Sequence, residues 1–291
     1  MSTPNLLTPD AHDEVGLTDW IEASMLSEQR AHMPRARIRK HVASTLAADE
    51  PEMMVETILK EVARRKRCCP TTYPFSEDGS GIRYEVGVAA VPYVFMLAIS
   101  TSQPYRDERR HAETDGLFDH LVLDALKRYA GTGSIGHRFG APASGKRPSN
   151  FRDAVAWMAR EMRLPSGRGN ARPTAGDGGL DVVVWRPFRD ARSGFSVLLA
   201  QCTVQVDWFG KARDLAQDVW RGWIDFGKDP HLVLAVPFVI PMGYTKWDEL
   251  RRTVHTVLDR LRLCELLEAC ALTEQVDTAK WVTSEIARME A

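Results

Sequence analysis

Apolar residues recur at helical spacing through the first half of the chain and give way to continuous apolar runs in the second. Trp20, Ile21, Met25 and Leu26 mark a helix that Thr18 or Asp19 can cap, and a second helix spans Ala36 to Ala47. Pro51 stands where a first-turn proline belongs. Met53, Met54, Ile58, Leu59 and Val62 then make one face of a third helix, ending in Arg64-Arg65-Lys66-Arg67. Arg83 to Val86 alternates like a strand, whereas Val91 to Leu97 fits either a strand or a buried helix. Phe118, Leu121, Val122, Ala125, Leu126 and Tyr129 line one side of a further helix stopped by Gly131, and Phe151 to Met162 returns to helical period.

The pattern changes at residue 182. Val182 to Trp185 and Phe195 to Ala200 are short apolar runs joined by a polar turn, Pro187 to Gly194, and read as a β-hairpin. A helix from Ala212 to about Ile224 buries Leu215, Val219, Trp220 and Trp223. The run Leu232 to Ile240 is apolar throughout, as expected of a strand covered on both faces, which completes a βαβ crossover. A helix from Trp247 to about Ala271, with His255 in a structural role, and a shorter one near Met289 close the chain. The predicted organisation is a loose arm (1–15), a mainly helical N-terminal domain (16–131), a Gly/Ser/Pro-rich linker (132–150) and an α/β domain (151–291).

Composition narrows the classes. With 291 residues, 44% hydrophobic content and a formal net charge of -1, the chain can build one large core or two ordinary ones and is no polycation. Contact with nucleic acid must therefore come from local basic clusters. Arg64 to Arg67 is one, with a solvated helix end as the alternative; the loop arginines Arg168 and Arg172 and the turn arginines Arg186 and Arg189 are others suited to phosphate. Near-neutrality also favours self-association, so a homo-oligomer or a protein partner through the helical N-terminal domain is expected. Five cysteines without CxxC spacing or a signal peptide point to reduced thiols in the cytoplasm and away from zinc. The apolar stretch from Val86 to Ser100 is too short to span a bilayer, so no membrane partner is expected.

The chemistry concentrates around the hairpin. Gly176-Asp177-Gly178-Gly179-Leu180-Asp181 leads into its first strand, and Gln201-Cys202-Thr203 ends its second. Asp181 and Gln201 can then face each other; strand alternation puts Gln201 and Thr203 on one face and leaves Cys202 only its carbonyl near the site. A tight glycine turn before a buried strand is the structural alternative. Over roughly residues 151–240, these motifs resemble the Mrr-like restriction endonuclease branch of the PD-(D/E)XK nuclease superfamily, in which Gly-Asp-Gly-Gly-x-Asp is followed by a hairpin and Gln-x-Lys.

The resemblance implies a restriction-endonuclease-like mixed sheet flanked by helices, and metal-dependent hydrolysis of DNA in bacterial restriction or anti-phage defence. It implies Mg²⁺, with Mn²⁺ as a substitute, held by Asp181, Gln201, the Cys202 carbonyl and Asp177. Asp153, in Phe151-Arg152-Asp153, stands close to where the family has a helix-borne glutamate; a first-turn aspartate favoured by the helix dipole is the other reading. Thr203 occupies the position of the family lysine. Some members carry that lysine on the following helix, where Lys211 stands here, although a solvated surface lysine is equally ordinary. Two further readings stay open: a catalytically degenerate module of this fold that binds nucleic acid or a protein, and an unrelated α/β protein.

Overall fold

The computed structural model describes residues 13–46, 50–85, 87, 90–101, 108–140, 143, 145–169, 178–205, 208–268 and 276–290. Its contacts divide the chain into two units, one formed by Met1–Leu117, Pro237–Tyr244 and Asp259–Ala291, the other by Phe118–Val236 and Thr245–Leu258. No helix among the described residues is long and apolar enough to cross a membrane.

The first unit opens with α1 (Glu14–Ser27), β1 (His32–Pro34), α2 (Arg35–Leu46) and α3 (Pro51–Cys68). Most of the expected loose arm lies outside the described residues, but Asp13 already caps α1 by accepting from Gly16 N at 3.0 Å. The hairpin strands β2 (Phe75–Glu77) and β3 (Gly81–Tyr84) follow, then α4 (Val91–Thr101) and α5 (Glu108–Ala130). A small antiparallel sheet in the order β1-β3-β2 thus accompanies the helices. The ambiguous run from Val91 is a helix. It is buried on nearly every side, which is why its hydrophobicity carried no period.

The second unit takes the rest of α5 from Phe118 and continues with β4 (Ile135–Arg138), α6 (Phe151–Met162), β5 (Val182–Trp185), β6 (Val197–Cys202), α7 (Trp208–Lys211) and α8 (Gln217–Trp223). It closes with β7 (His231–Ala235), α9 (Trp247–Thr253) and β8 (Thr256–Leu258). The five strands form one mixed sheet in the order β4-β5-β6-β7-β8, antiparallel from β4 to β6 and parallel from β6 to β8. The predicted hairpin is β5-β6, with Val182 opposite Ala200 and Trp185 opposite Val197. Every residue of β5 is buried, as expected of a central strand covered on both faces.

Four sequence expectations change. The 132–150 segment is no linker, since β4 pairs along its length with β5 and Gly136 lets it pack closely: a Cβ there would stand 2.6 Å from Leu123 and 2.8 Å from Val184 side-chain atoms. The helix expected over 212–224 is helical only as α8, the residues before it forming turns around Asp214 after α7 ends at Lys211. The apolar run from Leu232 leaves the ladder after Ala235, before Pro237, which has no N–H to offer. The long helix expected from Trp247 is interrupted by β8. Leu232 and His255 exchange contacts there, Leu232 N donating to His255 Nδ1 and His255 N to Leu232 O, each at 3.0 Å, so His255 is structural but not helical.

The last helices, α10 (Arg260–Leu267) and α11 (Val276–Glu290), belong to the first unit. Asp259 caps α10, accepting from Arg262 N at 3.1 Å. The boundary expected at residue 151 therefore cuts across both units. A buried charge network holds the first unit's segments together: the Arg260 guanidinium donates to both Asp19 carboxylate oxygens at 2.8 and 2.9 Å, and Arg65 donates to Asp19 at 2.6 Å, Glu61 at 2.9 Å and Glu22 at 3.1 Å. Tyr73 and Tyr93 add hydroxyl donors to Glu22. Both guanidiniums are fully buried, and their donors are matched by carboxylates, which makes the arrangement tolerable away from water.

Candidate functional site

The hairpin register makes Asp181 and Gln201 the next opposed pair beyond Val182 and Ala200, and Asp181 N donates to Ala200 O at 2.9 Å. Their side chains meet on one face. Asp181 Oδ2 accepts from Cys202 N at 2.7 Å and from Gln201 Nε2 at 2.8 Å, while Gln201 Nε2 also reaches the Cys202 carbonyl oxygen at 3.2 Å. The amide nitrogen thus stands between a carboxylate and a carbonyl oxygen. Gln201 Oε1 is buried with no hydrogen-bond partner among the described residues. Behind the cluster, Asp181 O accepts from Phe139 N at 2.6 Å and Gly140 N at 3.1 Å, tying the end of β4 to the motif.

A second carboxylate arrives from a helix that sequence reading did not connect to the site. Asp119 on α5 is buried at 7% exposure and accepts from Arg138 on β4 at 3.0 Å. The Cys202 thiol is buried near Asp119, and its main chain supplies the N–H that Asp181 accepts and the carbonyl that Gln201 reaches. Burial, then the neighbouring Asp119 and Asp181 carboxylates, push that thiol's pKa well up. Gly140 has its α-carbon where a side chain would intrude: a Cβ would lie 2.9 Å from Asp181 Oδ1 and 3.7 Å from Asp119 Oδ2. The sequence did hold a signal, a charged residue beside Phe118 among apolar positions of a strongly patterned helix, and a buried carboxylate there requires a partner.

The glycine pair explains how the motif is held. Gly178 and Gly179 have φ of 65° and 75°, and a Cβ on Gly179 would stand 2.5 Å from the Asp214 carbonyl oxygen. Trp220 Nε1 donates to Gly178 O at 3.0 Å, and Phe139, Phe151, Trp220 and Trp223 pack edge-to-face around it. Lys211 Nζ pairs at 2.9 Å with Oδ2 of Asp214, the residue whose carbonyl faces Gly179. Thr203 is buried, its N–H donating to Ala235 O at 3.0 Å and its hydroxyl accepting from Gln205 N at 3.2 Å.

Of the other expected residues, Asp153, Arg186 and Arg189 stand apart from this cluster. Asp153 is exposed on the first turn of α6, where its N–H donates to Asn150 Oδ1 at 3.3 Å, and it makes no hydrogen bond to Asp181, Gln201 or Cys202. Arg168 is exposed. Arg186 and Arg189 are exposed beyond the opposite end of β5, and Arg186 is five residues from Asp181, about 16 Å at roughly 3.3 Å per residue. The turn arginines therefore do not flank the cluster. Asp177 and Arg172 lie outside the described residues.

The donor set suits a hard divalent cation better than a soft one. No group of three or more His, Cys, Asp or Glu side chains among the described residues is arranged to hold a metal ion, so a cation here would draw on amide and carbonyl oxygens as well. Two features fit. Rotation of the Gln201 amide would replace its NH₂ by the unpartnered Oε1 between Asp181 Oδ2 and the Cys202 carbonyl, and the cradle over Gly140 is faced by two carboxylates of which Arg138 balances Asp119.

No protein-family model matches the sequence, and no curated protein matches it. Among solved structures, the MspJI restriction endonuclease in complex with a 27-mer oligonucleotide is similar at a TM-score of 0.31 and 13% identity, over 75% of this chain and 37% of that one. The chain thus spans little more than a third of that protein's length, and a TM-score of this size does not establish a shared fold.

Proposed function

We propose that the chain is a metal-dependent DNA endonuclease of the restriction-endonuclease-like kind, serving restriction or anti-phage defence, with its site at Asp181, Gln201 and Cys202. The observation that carries this reading is the Gln201 amide nitrogen held between Asp181 Oδ2 and the Cys202 carbonyl, where a cation would find oxygen donors. Asp181, the Gln201 amide oxygen and the Cys202 carbonyl would hold Mg²⁺ or Mn²⁺, with Asp177 as a further donor and Asp119 facing the same cradle. When bound, the ion supplies charge to the scissile phosphate and lowers the pKa of water. The protein's part is positional. Asp181 is fixed by two donors on β6, Gly140 keeps the space between the carboxylates open, and Lys211 brings a positive charge to the edge of the glycine turn for the phosphate or attacking water.

A second reading, a module of this fold that binds DNA or a protein without cutting, is favoured by Thr203 at the family lysine's position and by the pairing of Lys211 with Asp214. Incubating the full chain with plasmid and with single-stranded DNA, in Mg²⁺, Mn²⁺ or EDTA, separates the two. Cleavage that EDTA and Asp181→Asn both abolish is expected. DNA retention without cleavage under either metal would transfer the assignment to the binding module.

A further inference from the structure

At the end of the five-stranded sheet away from Asp181, where β5 finishes and β6 and β7 begin, the second unit surrounds a cavity of about 960 Å³. That volume lies within the range of small-molecule sites. Leu164, Val197 and Leu198 give it an apolar floor, and its rim carries Tyr129 and Phe188, large aromatic side chains that are 51% and 55% exposed. Exposure of two such rings on one cavity is unusual for side chains that gain by burial.

Cations accompany the rings. Arg186 holds its guanidinium carbon 5.9 Å from the Phe188 centroid and donates from Nε to Thr132 O at 3.2 Å, and among the described residues its two terminal NH₂ groups have no acceptor. Lys228 on the same rim has no carboxylate partner among the described residues, whereas the nearby Asp229 is paired with Arg221 at 3.0 Å. His231 closes one side with its ring 6.4 Å from that of Tyr129, anchored by Nε2 against Thr256 Oγ1 at 2.7 Å.

We propose that this cavity binds a nucleotide, its base stacked on Tyr129 and Phe188 and its phosphate held by Arg186 and Lys228. Flat aromatic faces suit any base, and a guanidinium fork and an ammonium lining one cavity suit a phosphate dianion. The site stands about 16 Å along β5 from the proposed metal site and does not depend on it. Free nucleoside phosphates and single-stranded nucleic acid share the recognised chemistry.

Isothermal titration of the full chain in EDTA with AMP, ATP, inorganic phosphate and a short oligothymidylate distinguishes them. Saturable binding of a nucleotide probe is expected, weakened about tenfold by Arg186→Ala and by Phe188→Ala, kept by Phe188→Trp and unchanged by Asp181→Asn. Preference for AMP or ATP identifies a free nucleotide, and preference for the oligomer identifies a strand. No saturable binding of any probe, binding of inorganic phosphate as tight as AMP, or affinity untouched by both alanine variants would overturn the proposal. Because the assay requires no cleavage, an inactive metal site leaves its result intact.

Discussion

Asp181 bonds the hairpin together while facing the proposed cation, so its alanine variant mixes two effects. Asp181→Ala leaves the Cys202 N–H without its 2.7 Å acceptor and should cost about 1–3 kcal/mol by denaturant unfolding. Asp181→Asn keeps an acceptor but loses the charge; it is expected to unfold near wild type in EDTA yet to lose Mg²⁺-dependent cleavage, and normal cleavage by that variant would rule out the metal role. Gln201→Glu tests the same spot from the other side. A second carboxylate beside Asp181 repels it, so the metal-free variant should melt below wild type at neutral pH and gain more than wild type from added Mn²⁺. An equal Mn²⁺ response in both proteins would argue against a shared cation.

Elements set where those side chains can be, and the glycine turn is the most exacting of them. Gly179→Ala meets both a φ of 75° and a backbone oxygen 2.5 Å from the new Cβ, so a loss of more than about 1 kcal/mol is expected, read from unfolding followed by the fluorescence of Trp220 and Trp223. A fully stable variant would show the contact to the Asp214 turn to be slack. The hairpin, Asp181 opposite Gln201 and the amphipathic α5 and α6 were all legible in sequence, because each is written in local alternation or helical period. Asp119 was legible only as a carboxylate in need of a partner, since its place beside Asp181 depends on β4 and Gly140, contacts that no local pattern encodes. The strand β8 was hidden for a related reason: Thr256-Val257-Leu258 extends an apolar helical pattern on paper, and pairing with β7 decides its conformation. Charged loops near a motif in sequence also proved a poor guide to distance, as Arg186 shows.

At the scale of the molecule, the first unit depends on residues 241 positions apart, Asp19 and Arg260. Arg260→Ala would leave the buried Asp19 carboxylate short of a partner and should cost about 3–5 kcal/mol, measured by chemical denaturation. Burial works against ionisation of Asp19 and Glu61, but Arg260 and Arg65 for the first, and Arg64 and Arg65 for the second, overcome it and hold both carboxyls below their ordinary values. The stabilisation they provide is complete above the ordinary carboxylate pKa values and is lost as pH falls through the lowered ones. Burial pushes the Glu22 carboxyl up instead, which offsets part of this loss; stability should still drop below about pH 4, and a flat acid limb would contradict ionised Asp19 and Glu61. A fragment of residues 151–291 should fail to fold, judged by its circular dichroism and amide exchange, because it drops β4 and carries α10 and α11 without α1 and α3. The same interleaving has a consequence for biosynthesis. A ribosome that has released Leu117 must still translate 143 residues before Arg260 emerges, roughly ten seconds at ordinary elongation rates, and throughout that interval Asp19 on α1 lacks its second guanidinium while the second unit lacks the strand that ends at Leu258, so each unit waits for the last stretch of the chain before it can close.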